Sequence, residues 1–250
     1  MKKLLALLMA LAMMMSFAAC AGTPGETPPS TSTPETSSTG ASQSEGPKVM
    51  THAEYMAAEE DAKVVVECYV QATQSWYNNA IVVYAQDQEG GYFAYNMACS
   101  EEDAAKLVPG TKICITGYKT FYKGMPEIAA GATFTFVEGA DTYVAEPTDM
   151  TNLLGSDDLV NNCGMLASFK NLTVSKIEYK NGEPGDDIYV DVTSGDATYS
   201  FCVERYLTDP DTEVYKAFAE LQVGAVVDME GFVYWYDGIN THITSVTPVA

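Results

Sequence analysis

The sequence writes one glycine-marked pattern twice, as GTKICITGYKTFYKG at residues 110–124 and as GAVVDMEGFVYWYDG at residues 224–238. The two stretches align without a gap at an offset of 114 residues, with glycine at the first, eighth and last positions of each. Apolar residues alternate within both stretches, which indicates β-strands. A glycine in the middle of a strand weakens it unless the sheet bends sharply there, as at the corner of a barrel. The repeat therefore predicts two similar barrels in one chain.

The segments around the two stretches repeat as well. Three strand-like runs precede each stretch, and a turn and one further strand follow it. A short helical pattern separates the third run from the glycine-marked strand, as SEEDAAKLVP at 100–109 and DPDTEVYKAFAELQV at 209–223. A helical leader in which Thr51 and Glu54 form a capping box opens the first half, and the weaker TNLLGSDDLV opens the second.

This order of three strands, one helix and two strands is that of the oligonucleotide/oligosaccharide-binding (OB) fold. Over about residues 50–250 the chain resembles bacterial extracytoplasmic proteins with tandem OB-like domains, through the glycine-marked pattern and the run AEYMAAEEDAKVVVECYVQA. The resemblance implies a mainly β fold. We expect two tandem five-stranded OB-like Greek-key barrels, each with a helix between strands 3 and 4, at residues 49–147 and 148–250.

The N-terminus is typical of an exported protein. Two lysines precede an apolar run that ends before Cys20, which is the pattern of a secretory signal peptide. The sequence FAAC at 17–20 resembles the lipobox of bacterial lipoproteins, in which the cysteine carries diacylglycerol. We expect a lipoprotein signal peptide at residues 1–19 and an extracytoplasmic protein anchored to the bacterial cell membrane through Cys20. The alternative is cleavage near Ala19 and free secretion.

A Ser/Thr/Pro-rich linker follows the anchor at residues 20–48. It contains no aromatic residue that a core could bury, so we expect it to be disordered.

The chain is strongly acidic, with a formal net charge of −21 at pH 7. Without the signal peptide it has 34 acidic and 11 basic side chains, and Arg205 is its only arginine. Because proteins bind nucleic-acid backbones through lysine and arginine, this balance argues against nucleic acid as a partner.

Five cysteines remain after Cys20, at Cys68, Cys99, Cys114, Cys163 and Cys202. None belongs to a C-x-x-C pair, which argues against a zinc ribbon or a thioredoxin-like site. Several lie in apolar strand-like runs, so we expect mostly buried thiols. One disulfide remains open in an oxidising compartment.

No catalytic motif is recognisable. The sequence lacks G-x-S-x-G, H-E-x-x-H, Walker and G-x-G-x-x-G patterns. Its two histidines, His52 and His242, are expected to be surface or strand residues. We expect a protein that is not an enzyme and has no metal and no cofactor.

In OB folds the ligand lies on the outer face of strands 2 and 3, between two loops. The first such loop carries Trp76 and Tyr77 on a polar turn. A turn between two strands needs no large side chain, so this aromatic pair indicates contact with a ligand. Packing against the barrel is the alternative for each aromatic. The matching loop of the second half, at 180–185, is polar, so we expect the first half to bind and the second to support it. The candidate ligand-binding residues are Trp76, Tyr77, Tyr84, Tyr92, Tyr95, Tyr118, Tyr122 and Lys123.

The leading hypothesis is a non-enzymatic cell-surface lipoprotein whose tandem OB-like domains bind an extracellular glycan or protein partner. One alternative is a structural spacer or subunit of an envelope assembly. The other is a nucleic-acid-binding OB module, which would need a basic strip. Lys112, Lys119 and Lys123 share one strand and turn, but Lys119 falls in the inward phase and interrupts the strip.

Overall fold

The described part of the chain, residues 48–249 of a computed structural model, folds mainly as β-strands in two sheets. The mainly β prediction is confirmed. Both sheets belong to one compact unit, Glu45–Ala250. The signal peptide, Cys20 and nearly all of the linker are predictions that lie outside the described residues. Within 48–249 no helix is long and apolar enough to cross a membrane.

The first sheet has the strand order β1-β2-β3-β5-β4-β6, and β1 also pairs with β4. This extra pairing closes the first five strands into a barrel. The closure includes one parallel contact, between Ala94 and Ile128. The elements of this half are α1 (His52–Ala57), β1 (Lys63–Thr73), β2 (Ala80–Gln86), β3 (Gly91–Ala98), α2 (Glu101–Ala104), β4 (Lys112–Tyr122), β5 (Met125–Ile128) and β6 (Thr133–Phe136).

The second sheet has the order β11-β12-β10-β9-β8-β7, and β11 also pairs with β8. Here the parallel contact joins Cys202 and His242. The elements are β7 (Thr148–Asp149), two 3₁₀ helices (Thr151–Leu153 and Asp157–Asn162), β8 (Leu166–Tyr179), β9 (Ile188–Ser194), β10 (Ala197–Val203), α3 (Glu213–Glu220), β11 (Val226–Phe232) and β12 (His242–Pro248). The pairing of five strands in each half is therefore the same.

The helix ends follow local capping. Thr51 and Glu54 form the expected capping box at α1. Helix α3 begins later than the sequence pattern suggests, because Thr212 accepts the N–H of Tyr215 and caps it. The weaker leader of the second half forms the two 3₁₀ helices.

The repeated mid-strand glycines make room for a neighbouring strand. A Cβ atom on Gly117 would lie 2.7 Å from Cγ2 of Ile128, and one on Gly231 would lie 2.2 Å from the carbonyl oxygen of His242. Beside Gly117, the single predicted strand at 127–139 is instead divided into β5 and β6. The irregular residues between them let both strands pair with the same edge of β4.

The second half packs on the outer face of β2 and β3. Val82, Tyr84 and Phe93 belong to the same buried cluster as the core of the second half. At the edge of this contact the two backbones meet directly. A Cβ atom on Gly91 would lie 2.3 Å from the backbone nitrogen of Met165, and one on Gly164 would lie 2.7 Å from that of Tyr92. The face that an isolated OB fold offers to ligands is therefore partly covered here.

All five cysteines of the described residues are free thiols. The expectation of mostly buried thiols is confirmed, since only Cys114 is partly exposed. Burial raises the pKa of the Cys68 and Cys163 thiols, which lowers their reactivity at neutral pH.

Candidate functional site

A cleft of about 410 Å³ opens where the two halves meet, and we call it the central cleft. Both halves supply its walls, and the second half supplies most of them. Its lining includes Gln74, Tyr95, Tyr122 and Glu127 from the first half and Asp187, Glu204, Tyr234, Tyr236 and His242 from the second. The half that was expected to support the first therefore supplies most of the lining of this cleft.

A second depression, of about 630 Å³, adjoins the central cleft. Gln74 and Tyr95 line both, so the two depressions share a wall. Together they form a continuous surface that we call the tyrosine groove. Its exposed aromatic side chains are Tyr77, Tyr206, Tyr95, Tyr122 and Tyr236.

The loop that carries Trp76 and Tyr77 holds these two residues differently. Tyr77 is 80% exposed. Trp76 is half-buried against the first core, and its indole N–H donates to the carbonyl oxygen of Cys99 at 2.9 Å. The backbone N–H of Ser75 donates to the carbonyl oxygen of Tyr206 in the other half, at 2.8 Å. The loop is thus braced from both sides, and Tyr77 is its free aromatic side chain.

Tyr84 and Tyr92 do not belong to an exposed site, which corrects their assignment. Tyr84 is fully buried, because the second half covers this part of β2 and its ring lies 4.8 Å from that of Phe232. Tyr92 is buried in the first core, and its hydroxyl donates to Asp87 at 2.8 Å. Neither ring is open to a ligand.

Tyr95 lines both depressions, and the other three predicted residues separate into two groups. Tyr122 lies in the central cleft and Lys123 at its edge, where the Lys123 amine pairs with Asp237 at 2.7 Å. Tyr118 is exposed on β4, but it lines neither depression of the tyrosine groove. Of the eight candidates, the groove brings together Trp76, Tyr77, Tyr95 and Tyr122, with Lys123 beside it.

The lysines of β4 form no basic strip. Lys112 pairs with Glu67 at 2.7 Å. The Lys119 amine is buried and donates to the carbonyl oxygens of Tyr55 and Met56 at the end of α1. These cations satisfy groups of the protein itself.

Other cations border the tyrosine groove. Lys180, on the wall of the central cleft, pairs with Asp187 at 2.8 Å. The Arg205 guanidinium lies 5.1 Å from the ring of Tyr206. Across residues 48–249, no ion pair involves Arg205.

Two carboxyl groups of the central cleft are partly shielded from water. Burial raises the pKa of Glu127 to about 7. Burial also raises the pKa of Glu204 to about 7, although two backbone N–H groups donate to its carboxylate and oppose the shift. Near neutral pH these side chains are only partly ionised, so the cleft is less negative than its composition suggests.

His242 lies at the wall of the central cleft. It was expected as a surface or strand residue; it is the first residue of β12, and it is buried between the halves rather than exposed. Its Nδ1 forms a hydrogen bond with the Tyr84 hydroxyl at 2.6 Å, and its ring stacks on Tyr234 at 4.0 Å. Burial lowers the pKa of His242 to about 3, so the imidazole is neutral near pH 7.

Nothing in the described range brings three or more His, Cys, Asp or Glu side chains into an arrangement that could hold a metal ion. The chemistry of the tyrosine groove is therefore that of aromatic faces, two perturbed carboxyl groups and cations at its borders. Aromatic faces beside a few polar groups are features suited to a planar polar ligand.

Comparison with known proteins returned only structural likenesses. No family model and no curated protein matches the chain. A murine DNA-binding protein solved with double-stranded DNA is 13% identical, covers 75% of this chain and 98% of its own, and has a TM-score of 0.36. The p204 HINb domain is 12% identical, with a TM-score of 0.36 over 77% of this chain and 100% of that one. A replication protein A heterotrimer bound to single-stranded DNA is 10% identical, with a TM-score of 0.32 over 75% of this chain and 49% of that one.

These comparisons correct the expected partner. The sequence predicted a glycan or protein ligand and argued against nucleic acid. The names of the structural neighbours, which describe DNA-bound proteins, contradict that prediction. At these TM-scores the argument for a ligand has to come from the groove itself.

Proposed function

We propose that the chain is a non-enzymatic binding module in which two OB-like barrels hold single-stranded nucleic acid along the tyrosine groove. One observation carries the proposal: exposed tyrosines follow one another across two adjoining depressions. Bases stack on such side chains with about 1–3 kcal/mol per base. A duplex hides its base faces, so the groove suits an unpaired strand.

The strand pairing of each half supports the OB part of the proposal. Five strands close with one parallel contact in each half, as in the Greek-key barrel of that fold. OB folds bind oligonucleotides on strands 2 and 3, and here the second half covers part of that face. The ligand surface accordingly shifts to the adjoining groove, which both halves build.

The charge of the chain sets how a strand would bind. Lys123 and Lys180 are already paired with acids, so Arg205 is the main free cation near the groove. Phosphates would therefore face the solvent while the bases enter the groove. We expect stacking, rather than counterion release, to supply most of the binding free energy.

The test uses fluorescence anisotropy of labelled 12-residue oligonucleotides with the purified chain. Replacing Tyr95 and Tyr236 together by alanine should weaken binding about 10- to 100-fold, which corresponds to stacking lost at one or two bases. Tyr118→Ala is the matched control, because Tyr118 is equally exposed but lies outside the groove. Equal losses in the two variants, or no binding by the wild-type chain, would refute the proposal.

The anchor is a second part of the proposal and rests on the lipobox alone. A lipid on Cys20 would hold the module outside the cytoplasm, where it would meet nucleic acid from the surroundings. Metabolic labelling with radioactive palmitate tests it, since Cys20→Ser should abolish incorporation. Labelling that survives this substitution would exclude Cys20 as the modified residue.

A further inference from the structure

Glu127 is an unusual side chain for the middle of a buried strand. It is 6% exposed, and in the part of the chain that the structure describes no hydrogen bond or ion pair from another residue reaches its carboxyl group, whose oxygens open into the central cleft. The other acids of the central cleft have partners: Asp187 accepts from Lys180, and Glu204 accepts from two backbone N–H groups. A buried carboxyl group without a partner destabilises a fold.

The carboxyl group of Glu127 faces the central cleft rather than either core. All four residues of β5 are buried, and the neighbouring Met125 and Ile128 belong to the two cores. Glu127 instead lines the central cleft, whose walls also carry Tyr95, Tyr122 and Tyr236. A planar ring that enters this cleft would meet aromatic faces and present one edge to the carboxyl group.

The carboxyl group selects among ring edges by its hydrogen-bonding pattern. An ionised carboxylate only accepts, and it pairs best with two parallel N–H donors. Among unpaired bases, only the Watson–Crick edge of guanine offers two adjacent donors, N1–H and the N2 amino group. Adenine and cytosine place one donor beside an acceptor, and thymine and uracil place one N–H between two carbonyls.

We propose that Glu127 reads the Watson–Crick edge of one unpaired guanine held in the central cleft. The inference rests on the proposed function and adds a base preference to it. Guanine would give the carboxylate the two donors that the protein withholds, while its ring stacks on the cleft tyrosines.

The raised pKa of Glu127 adds a pH dependence to this preference. Above about pH 7 the group is mainly ionised and matches guanine. Below that pH it is mainly protonated, and one donor beside one acceptor matches cytosine or adenine. Of the groups around it, His242 stays neutral and the Lys119 amine is held by backbone carbonyls. The other titratable or charged side chains near it are Tyr55, Tyr95, Tyr122, Lys180, Asp187, Tyr189, Glu204, Tyr234 and Tyr236.

The test compares oligothymidylates that carry one central deoxyguanosine or one central deoxyinosine, at pH 8. Inosine keeps N1–H but lacks the N2 amino group, so the pair isolates one hydrogen bond. We expect the purified wild-type chain to bind the guanine strand about tenfold more tightly, as one charge-assisted hydrogen bond gives. In Glu127→Gln the two strands should bind within about twofold of each other. Glu220→Gln, at an exposed position on α3, should keep the preference.

Each outcome bears on a different claim. If no oligonucleotide binds, the proposed function fails. If the wild-type chain binds both strands equally, the base preference fails and the proposed function stands, and this comparison needs no variant. A guanine preference that survives in Glu127→Gln would overturn the role of Glu127. Free guanosine and tetramethylammonium are also compared as competitors of the guanine strand. If tetramethylammonium displaces the strand at the same concentrations as guanosine, the cleft binds cations rather than guanine, which would also overturn the role of Glu127.

Discussion

The rings of Tyr122 and Tyr236 pack edge to face with centroids 5.9 Å apart, although the two residues occupy the same position in the two copies of the repeated stretch. The next residues in each copy, Lys123 and Asp237, form an ion pair at 2.7 Å. The ends of the two repeated hairpins thus meet each other and form one side of the central cleft. A duplicated element has become the two sides of a single contact.

Binding of single strands should depend weakly on salt. Each phosphate contact adds a slope of about −0.7 to log K against log salt concentration for single strands. Because Lys123 and Lys180 are paired with acids, Arg205 alone is expected to contribute, so the total slope should be near −0.7. Anisotropy titrations between about 50 and 300 mM salt, over which the Debye length falls by more than half, measure this slope. A slope steeper than about −3 would require a set of cations that the groove does not have.

Trp76 and Tyr77 should differ in how much they contribute to the stability of the fold. Trp76→Ala removes half-buried aromatic surface and a hydrogen bond, so we expect a loss of about 2 kcal/mol in the free energy of unfolding. Tyr77→Ala should change it by less than about 0.5 kcal/mol, because the side chain is exposed. Urea denaturation of both variants provides the measurement. A stable Trp76→Ala variant would show that the indole does not brace the loop.

Gly164→Ala should destabilise the contact between the halves. The new methyl group would lie 2.7 Å from the backbone nitrogen of Tyr92, and backbone atoms yield less readily than a side chain. Gly182→Ala is the control, because Gly182 also has a positive φ but nothing within 4 Å of its Cβ position. The control should lose about 1–2 kcal/mol from its backbone conformation alone, and Gly164→Ala should lose clearly more. Equal losses in thermal or urea unfolding would show that the close approach is not limiting.

The stability gained by Glu127→Gln should rise with pH. The pKa of Glu127 is raised to about 7 from an ordinary value of 4.5. The free energy of unfolding of the wild-type chain is therefore highest, as far as this group is concerned, below about pH 4.5, where the carboxyl group is protonated in both states. The wild-type chain loses this stabilisation as pH rises through 7. A neutral amide has no such loss, so the difference in unfolding free energy between variant and wild type should grow between pH 4.5 and 7.5. A difference that stays constant over this range would place the carboxyl group in contact with water.

Much of the fold could be predicted from the sequence because it depends on local patterns. Alternating apolar residues marked the strands, and the polar residue at Thr51 marked the start of α1. The division into β5 and β6 escaped prediction, since the irregular residues at 129–132 are apolar like the strands beside them. These residues pass close to Gly117, where a Cβ atom would lie 2.8 Å from that of Ala132, and only the folded chain shows this approach.

The groove was less predictable because it depends on contacts between the halves. Tyr84 and Tyr95 lie on neighbouring strands and looked equivalent in sequence, but only Tyr84 is covered by the second half. Glu127 stood inside an apolar run with nothing to mark it. Tyr206 and His242 acquire their places from pairing with residues more than 100 positions away. Alternation within a strand carries no information about such distances.

The meeting of Gly91 and Gly164 has a consequence for how this chain can evolve. After a duplication, two copies of a barrel are at first free to change independently. Once their backbones touch with no space for a methyl group, a side chain gained at one glycine displaces the other copy. The two glycines are then expected to be conserved together. Related chains that lack one of them are expected to lack the other, and also to lack the cleft that depends on both halves.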